Sequence, residues 1–189
     1  HEVFHFNNDL KGATNALAEI NRLAGIRGWA YRNAPDLIVL GRTALKLDAD
    51  PKLVLDKLYH PAREHDPNFA GTAQAIGDLA LSKSDYELAG RTFQLALKRH
   101  PKNADLHFGA ARAFAPSDGK TMTQHLQATL TANPNHAGAR LLMADRLIDR
   151  EAYDEAETQL SKVLAVNPNH PEAWAYRGVI AHLRADTNA

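Results

Sequence analysis

Prolines return along this chain at an almost fixed interval, and that interval constrains the fold more than any other feature of the sequence. Pro67, Pro101, Pro134 and Pro168 lie 34, 33 and 34 residues apart, in the similar settings HDPNFA, RHPKNA, NPNHAG and NPNHPE. Behind each proline the same small or apolar positions recur. Ala89, Phe93 and Ala96 precede Pro101, and Ala156, Leu160 and Val163 precede Pro168 at identical offsets. Met122, Leu126 and Thr129 stand at those offsets before Pro134, and Leu55, Tyr59 and Ala62 before Pro67. A period of this size marks an array of supersecondary units, each too small to bury its apolar face except against its neighbours. The 189 residues would otherwise suggest one compact domain.

Each unit reads as two helices. After the proline comes a run with apolar or small residues at helical spacing, such as Ala73, Ile76, Gly77 and Ala80. A polar break follows (SKSD at 82–85, APSDG at 115–119, DREA at 149–152), then a second amphipathic run up to the next proline. Asp85 and Ser117 or Asp118 are expected N-caps, because a short oxygen-bearing side chain accepts from the free amides of a first helical turn. Proline suits the junction between units, since it cannot continue one helix and its fixed φ starts the next. Gly77, Ala111, Ala144 and Gly178 on first helices, with Ala89 and Ala156 on second helices, are expected to let paired helices approach closely.

The period, together with Ile76-Gly77, Ala89, Phe93, Ala96 and Pro101, resembles the tetratricopeptide repeat (TPR) signature. So do Tyr153-Asp154-Glu155-Ala156 and Trp174 with Gly178. The resemblance implies an all-α fold, a right-handed superhelical α-solenoid of TPR helix-turn-helix repeats. The units implied are an incomplete N-terminal repeat plus insertion over 1–34, a degenerate repeat over 35–69, and repeats over 70–103, 104–136 and 137–170. A single helix of an incomplete last repeat fills 171–189. Three departures stand out. The 104–136 unit is one residue short and has Thr129 where a small residue is usual, Arg177 replaces an apolar residue, and Gly25–Asn33, with Trp29 and Tyr31, is an insertion. The chain starts without Met and partway through a first helix, so it reads as an excised or processed piece of a longer protein.

Composition excludes several chemistries. With no cysteine there are no disulfides, Cys-ligated zinc, iron–sulfur centres or thiol catalysis. The 22 basic residues balance 22 acidic ones, which leaves no positive excess for a nucleic-acid backbone. No stretch approaches the roughly 20 apolar residues of a membrane span. One catalytic motif occurs: His1-Glu2-Val3-Phe4-His5 matches H-E-x-x-H, in which two histidines bind zinc and the glutamate acts as general base. The nearest third ligand is Glu19. With a turn at Asn7–Asp9, Glu19 falls roughly 15 Å beyond His5 at about 1.5 Å per residue. The match is therefore expected to be a chance one, with Phe4 and Phe6 facing the core. Of the ten histidines, His60, His65, His100, His136 and His170 lie near unit boundaries and read as helix-end residues, suited to helix C-termini. No phosphate-binding glycine loop or nucleophile elbow occurs, so neither an enzyme, a cofactor nor a metal site is expected.

The resemblance also places a ligand face on the first helices. Its central position falls on Arg42, Asp78, Arg112, Asp145 and Val179, alternating in sign over the first four. One turn earlier lie Ile38, Gln74, Phe108, Leu141 and Ala175, and beside them Val39, Ala75, Gly109, Leu142 and Tyr176. In one reading Phe108, Leu141 and Tyr176 form an apolar platform for a peptide whose polar groups Arg42 and Arg112 anchor. In the other, Arg42–Asp78 and Arg112–Asp145 pair and satisfy one another, at about 0–1 kcal/mol each. The basic and Asn clamp of TPR domains that grip chaperone C-termini is replaced here by Gln74, Asp78, Gly109 and Asp145, so that activity is not implied. The functional expectation is a non-catalytic scaffold binding a protein or peptide partner in its concave groove. The alternative is a regulatory or substrate-docking module of a larger enzyme, such as a hydrolase, whose active site lies outside this chain.

Overall fold

A computed structural model of the chain describes residues 9–27 and 32–186. The H-E-x-x-H motif at 1–5, and Trp29 and Tyr31 of the insertion, lie outside the described residues. Those described form helices and connecting turns, with no strand among them. In chain order the helices are α1 (Leu10–Arg27), α2 (Ala34–Lys46), α3 (51–65), α4 (Ala70–Ser82) and α5 (Tyr86–Leu97). They continue with α6 (Ala104–Phe114), α7 (Gly119–Ala132), α8 (Ala137–Ile148), α9 (Tyr153–Val166) and α10 (Pro171–Asp186). They fall into two compact units that part between Arg99 and His100.

In the N-terminal unit, α2 with α3 and α4 with α5 form antiparallel hairpins, and the starts of α2, α3 and α5 are written in the sequence. Asn33 accepts from Asp36 N–H, Asp50 from Lys52 N–H and Asp85 from Leu88 N–H, each replacing a partner that a first-turn amide lacks. The core gathers Leu37, Ile38, Val54, Tyr59, Ala62, Ile76 and Leu79. Two aromatic rings decide how closely the helices of a hairpin approach. Tyr59 lies on Gly41 and Phe93 on Gly77, and a Cβ on either glycine would overlap the ring. Both rings are almost wholly buried. From Gly77 to Phe93 is 16 residues, but from Gly41 to Tyr59 is 18. One extra residue is taken up in the turn before Asp50. The other is taken up in α3, which is π-helical over Leu55–Tyr59. A π turn absorbs a single added residue without ending the helix, and so Tyr59 still meets Gly41.

The C-terminal unit repeats the plan with α6 paired to α7 and α8 to α9, while α10 packs on α8 and α9. Asn103 caps α6, and Asp118 caps α7 by accepting from Lys120 and Thr121 N–H. The core joins Leu141, Ala144, Ala156, Leu160, Val163, Ala173 and Ile180, next to a cluster of Ala111, Met122, Leu126 and Ala139. Departures from the repeat pattern resolve locally. Thr129, fully buried, donates its hydroxyl to His125 O at 2.9 Å, so its polar atom is satisfied inside the core. Arg177 donates from Nε to Glu157 Oε2 at 3.0 Å and from Nη2 to Ser161 Oγ at 2.7 Å.

Two expectations need correction. Gly178 does not mediate close approach, because a Cβ there would meet no atom within 4 Å among the described residues. His136 and His170 sit at helix N-termini, where their Nδ1 atoms accept from Ala139 and Ala173 N–H at 3.1 and 3.4 Å. An unprotonated ring nitrogen does there what an Asp or Asn oxygen does elsewhere. Finally, α2, α4 and α8 end on a left-handed residue that is not glycine: Asp48, Ser84 and Glu151, with φ of 61°, 58° and 59°. The following amide in each case reaches back to a carbonyl of the last turn (Ala49 to Ala44, Asp85 to Ala80, Ala152 to Leu147), as in a Schellman closure.

Candidate functional site

The face expected to meet a ligand can be followed within each unit. In the C-terminal unit it is built by α6, α8 and α10. Phe108 on α6 is half-buried. Its ring lies along Gly138 of α8, where a Cβ would come within 2.7 Å, and against the His136 ring, 4.6 Å between centroids. The bare backbone at Gly138 thus seats the ring across two repeats. One turn on, the exposed Arg112 holds its guanidinium 5.8 Å from the Phe108 ring centroid, in cation–π range. Asp145 on α8 accepts the hydroxyl of Tyr176 on α10 at 3.1 Å. Burial, and then the Asp145 carboxylate, push the Tyr176 hydroxyl up to about 12, so it stays a neutral donor.

Leu141 lies elsewhere. It is 5% exposed and belongs to the core cluster against which Tyr176 packs, so it supports the face from beneath and offers a ligand little surface. The aromatic surface rests on Phe108 and Tyr176, and its charge on Arg112 and Asp145.

In the N-terminal unit Arg42 on α2 is exposed, whereas Asp78 on α4 is half-buried and accepts from Gln74 Nε2 at 3.0 Å. Both act on the buried Tyr59 hydroxyl, which stands at about 12. Burial is the largest cause, with Arg42 lowering and Asp78 raising it. The two expected site residues therefore flank one core tyrosine. Gln74 and Tyr176 each donate a hydrogen bond to a carboxylate, to Asp78 and Asp145 respectively, and help to hold them in place.

Two features escaped the sequence reading. His107 on α6 and His125 on α7 meet Nδ1 to Nδ1 at 2.9 Å, and His107 Nε2 lies 3.0 Å from Pro101 O. A carbonyl only accepts, so His107 carries its proton on Nε2 and takes the second hydrogen bond from His125 Nδ1–H. Burial, and then His107, hold His125 below the ordinary histidine value. A cavity among α7, α8 and α9 is the second. Both features depend on which residues of paired helices face each other, and a repeat of single positions does not carry that. Among the described residues no group of three or more His, Asp or Glu is placed to hold a metal, and no helix is long and apolar enough to cross a membrane.

These helix pairs, with the same ring-on-glycine contact in the two successive hairpins of the N-terminal unit, define a helical-repeat interaction protein. Two tetratricopeptide-repeat models match the sequence, over residues 75–120 and 123–180, together just over half of it. The chain belongs to the tetratricopeptide-repeat family, and its fold is that of a TPR α-solenoid. No curated protein sequence matches it. Among solved structures, a thermophilic TPR protein of Thermus thermophilus aligns over 95% of this chain and 96% of its own, at 18% identity and a TM-score of 0.70. YrrB, described as a TPR protein with an unusual peptide-binding site, aligns over 88% and 84% at 22% identity and 0.56. MamA of Desulfovibrio magneticus aligns over 90% and 92% at 13% identity and 0.58. At these identities the likeness is one of fold.

Proposed function

We propose that this protein-interaction scaffold is non-catalytic and binds an extended peptide across the first helices of its C-terminal unit, α6, α8 and α10. The observation that carries the reading is the pair of part-exposed aromatic rings, Phe108 and Tyr176, each tied to a charged neighbour. Phe108 lies under Arg112, and Tyr176 donates to Asp145. Aromatic and arginine side chains supply most of the energy at protein interfaces, and rings already held in place lose little freedom on binding. Opposite charges side by side favour a peptide of mixed or apolar character over a strongly charged one. Arg42 and Asp78 in the N-terminal unit extend the same chemistry.

The test uses peptides selected from a random library on the intact chain. Phe108→Ala combined with Arg112→Ala is expected to weaken them at least tenfold while far-UV circular dichroism stays unchanged. Phe108 packs against the cluster of Ala111, Met122, Leu126 and Ala139, so the unchanged circular dichroism spectrum is what separates loss of binding from loss of fold. Peptides that bind the double variant as tightly as the parent chain would move the site away from this face.

A further inference from the structure

A second concavity lies in the C-terminal unit, among α7, the later turns of α8 and the first turns of α9, with a volume of about 200 Å³. Neither Phe108 nor Tyr176 lines it, so it stands independently of the face described above. Its apolar wall comes from Met122 and Leu126 of α7 and Met143 and Leu147 of α8, and Arg146 and Arg150 add positive charge. The guanidinium of Arg146 reaches toward the start of α7. Gly119 leaves it room there, since a Cβ at 119 would already stand 3.4 Å from Nη2. Arg146 Nε is fully buried and meets no acceptor among the described residues. Buried donors of charged groups are seldom left without a partner. The rest of the Arg146 side chain is part-exposed and lines the concavity, where a guanidinium is matched best by a carboxylate.

Size and charge together narrow the occupant. The cavity is smaller than the roughly 300–1,000 Å³ of pockets for drug-sized ligands, so it holds one small group. An internal aspartate or glutamate would bring charge without enough apolar surface, and an internal leucine the reverse. A C-terminal aliphatic residue carries both on neighbouring atoms. We propose that this cavity binds the C-terminal aliphatic residue of a partner peptide, with its side chain on Met122, Leu126, Met143 and Leu147 and its α-carboxylate on Arg146 and Arg150. Glu155, also in the lining, is the acceptor for the amide N–H of that residue.

The chain contains two methionines, and both line the cavity. Methyl-13C methionine labelling of the full chain therefore gives NMR signals that report on this site. Titration with N-acetyl-leucine is expected to shift both signals saturably, N-acetyl-leucinamide to bind at least tenfold more weakly, and N-acetyl-Gly-Gly-Leu to bind more tightly than the single residue. Arg146→Gln is expected to weaken N-acetyl-leucine at least tenfold. The comparison of acid and amide on the parent chain decides the matter even where that variant folds poorly. Absence of a saturable shift at millimolar ligand, equal binding of acid and amide, or an unaffected Arg146→Gln chain would overturn the proposal. A site that takes N-acetyl-leucine and refuses the tripeptide serves a small molecule, which overturns the peptide assignment.

Discussion

Gly77 and Gly178 both sit within helices, and the same substitution, Gly→Ala, is expected to move stability in opposite directions at the two sites. In a helix interior alanine is favoured over glycine by about 1 kcal/mol, because the backbone loses less entropy on folding. At Gly178 nothing lies within 4 Å of the added Cβ, so that gain stands alone and the variant is stabilised by about 1 kcal/mol. At Gly77 the Cβ would overlap Phe93 Cζ and lie within 2.6 and 2.7 Å of Cε2 and Cε1. Carbon atoms attract best at about 3.5–4.0 Å. Phe93 is 0% exposed and packed on all sides, so the ring has nowhere to go and the helices must part. Overpacking costs about 1–3 kcal/mol, and three ring atoms in conflict put Gly77→Ala near the top of that range. Less the propensity gain, the net loss is about 2 kcal/mol. For a chain of this length each kcal/mol moves the melting temperature by about 2–4 °C. Thermal melts followed by circular dichroism should therefore fall by about 4–8 °C for Gly77→Ala and rise by about 2–4 °C for Gly178→Ala. Trimming the ring in Phe93→Leu removes the conflict, so the double variant should be at least about 1 kcal/mol more stable than the two single effects predict. A neutral or stabilising Gly77→Ala, or strict additivity with Phe93→Leu, would refute the idea that the ring sets the helix spacing.

Two further outcomes follow from particular side chains. His125 is held below its unfolded value, so the unfolded chain takes up the proton first. The stability it contributes is complete above about pH 6.5 and falls as the pH drops from there through the folded value. Urea midpoints of the parent chain should therefore decline more between pH 7.5 and 5 than those of His125→Gln, and equal slopes would show that the buried His125 is not the cause. Ser84 and Glu151 adopt left-handed φ values that cost a non-glycine residue about 1–2 kcal/mol. Set against the greater freedom of glycine in the unfolded chain, Ser84→Gly and Glu151→Gly should each raise stability by about 0.5–1 kcal/mol in urea unfolding.

Much of the fold was legible because it is carried by residue type at fixed spacing. The prolines marked the units, Asp85 and Asp118 announced the helix starts they cap, and Gly77 signalled a close approach whose partner proved to be Phe93. What escaped has a common cause: one residue type serves two purposes, and only the third dimension chooses. Histidine at a unit boundary could end one helix or begin the next, and His136 and His170 begin it. Serine, aspartate or glutamate in a polar break gives no sign of left-handed backbone, which glycine would have. Phe108 and Leu141 share one register position, yet Phe108 spreads over Gly138 and stays part-exposed, while Leu141 sinks into the cluster that Tyr176 helps to cover. The register of the ligand face was therefore readable, and its depth was not.

The π turn in α3 carries a consequence for how such arrays change over generations. Adding one residue to a helix rotates everything after it by about 100° and would carry Tyr59 off its glycine socket. Here the surplus residue is stored as a local loosening over Leu55–Tyr59, and the phase is restored before the socket is reached. A unit built on a single ring-and-socket joint thus tolerates insertion and deletion wherever the slack can be taken up ahead of that joint. The length of a repeat is then free to drift while its joint is kept, and departures from a 34-residue period record where slack has been stored.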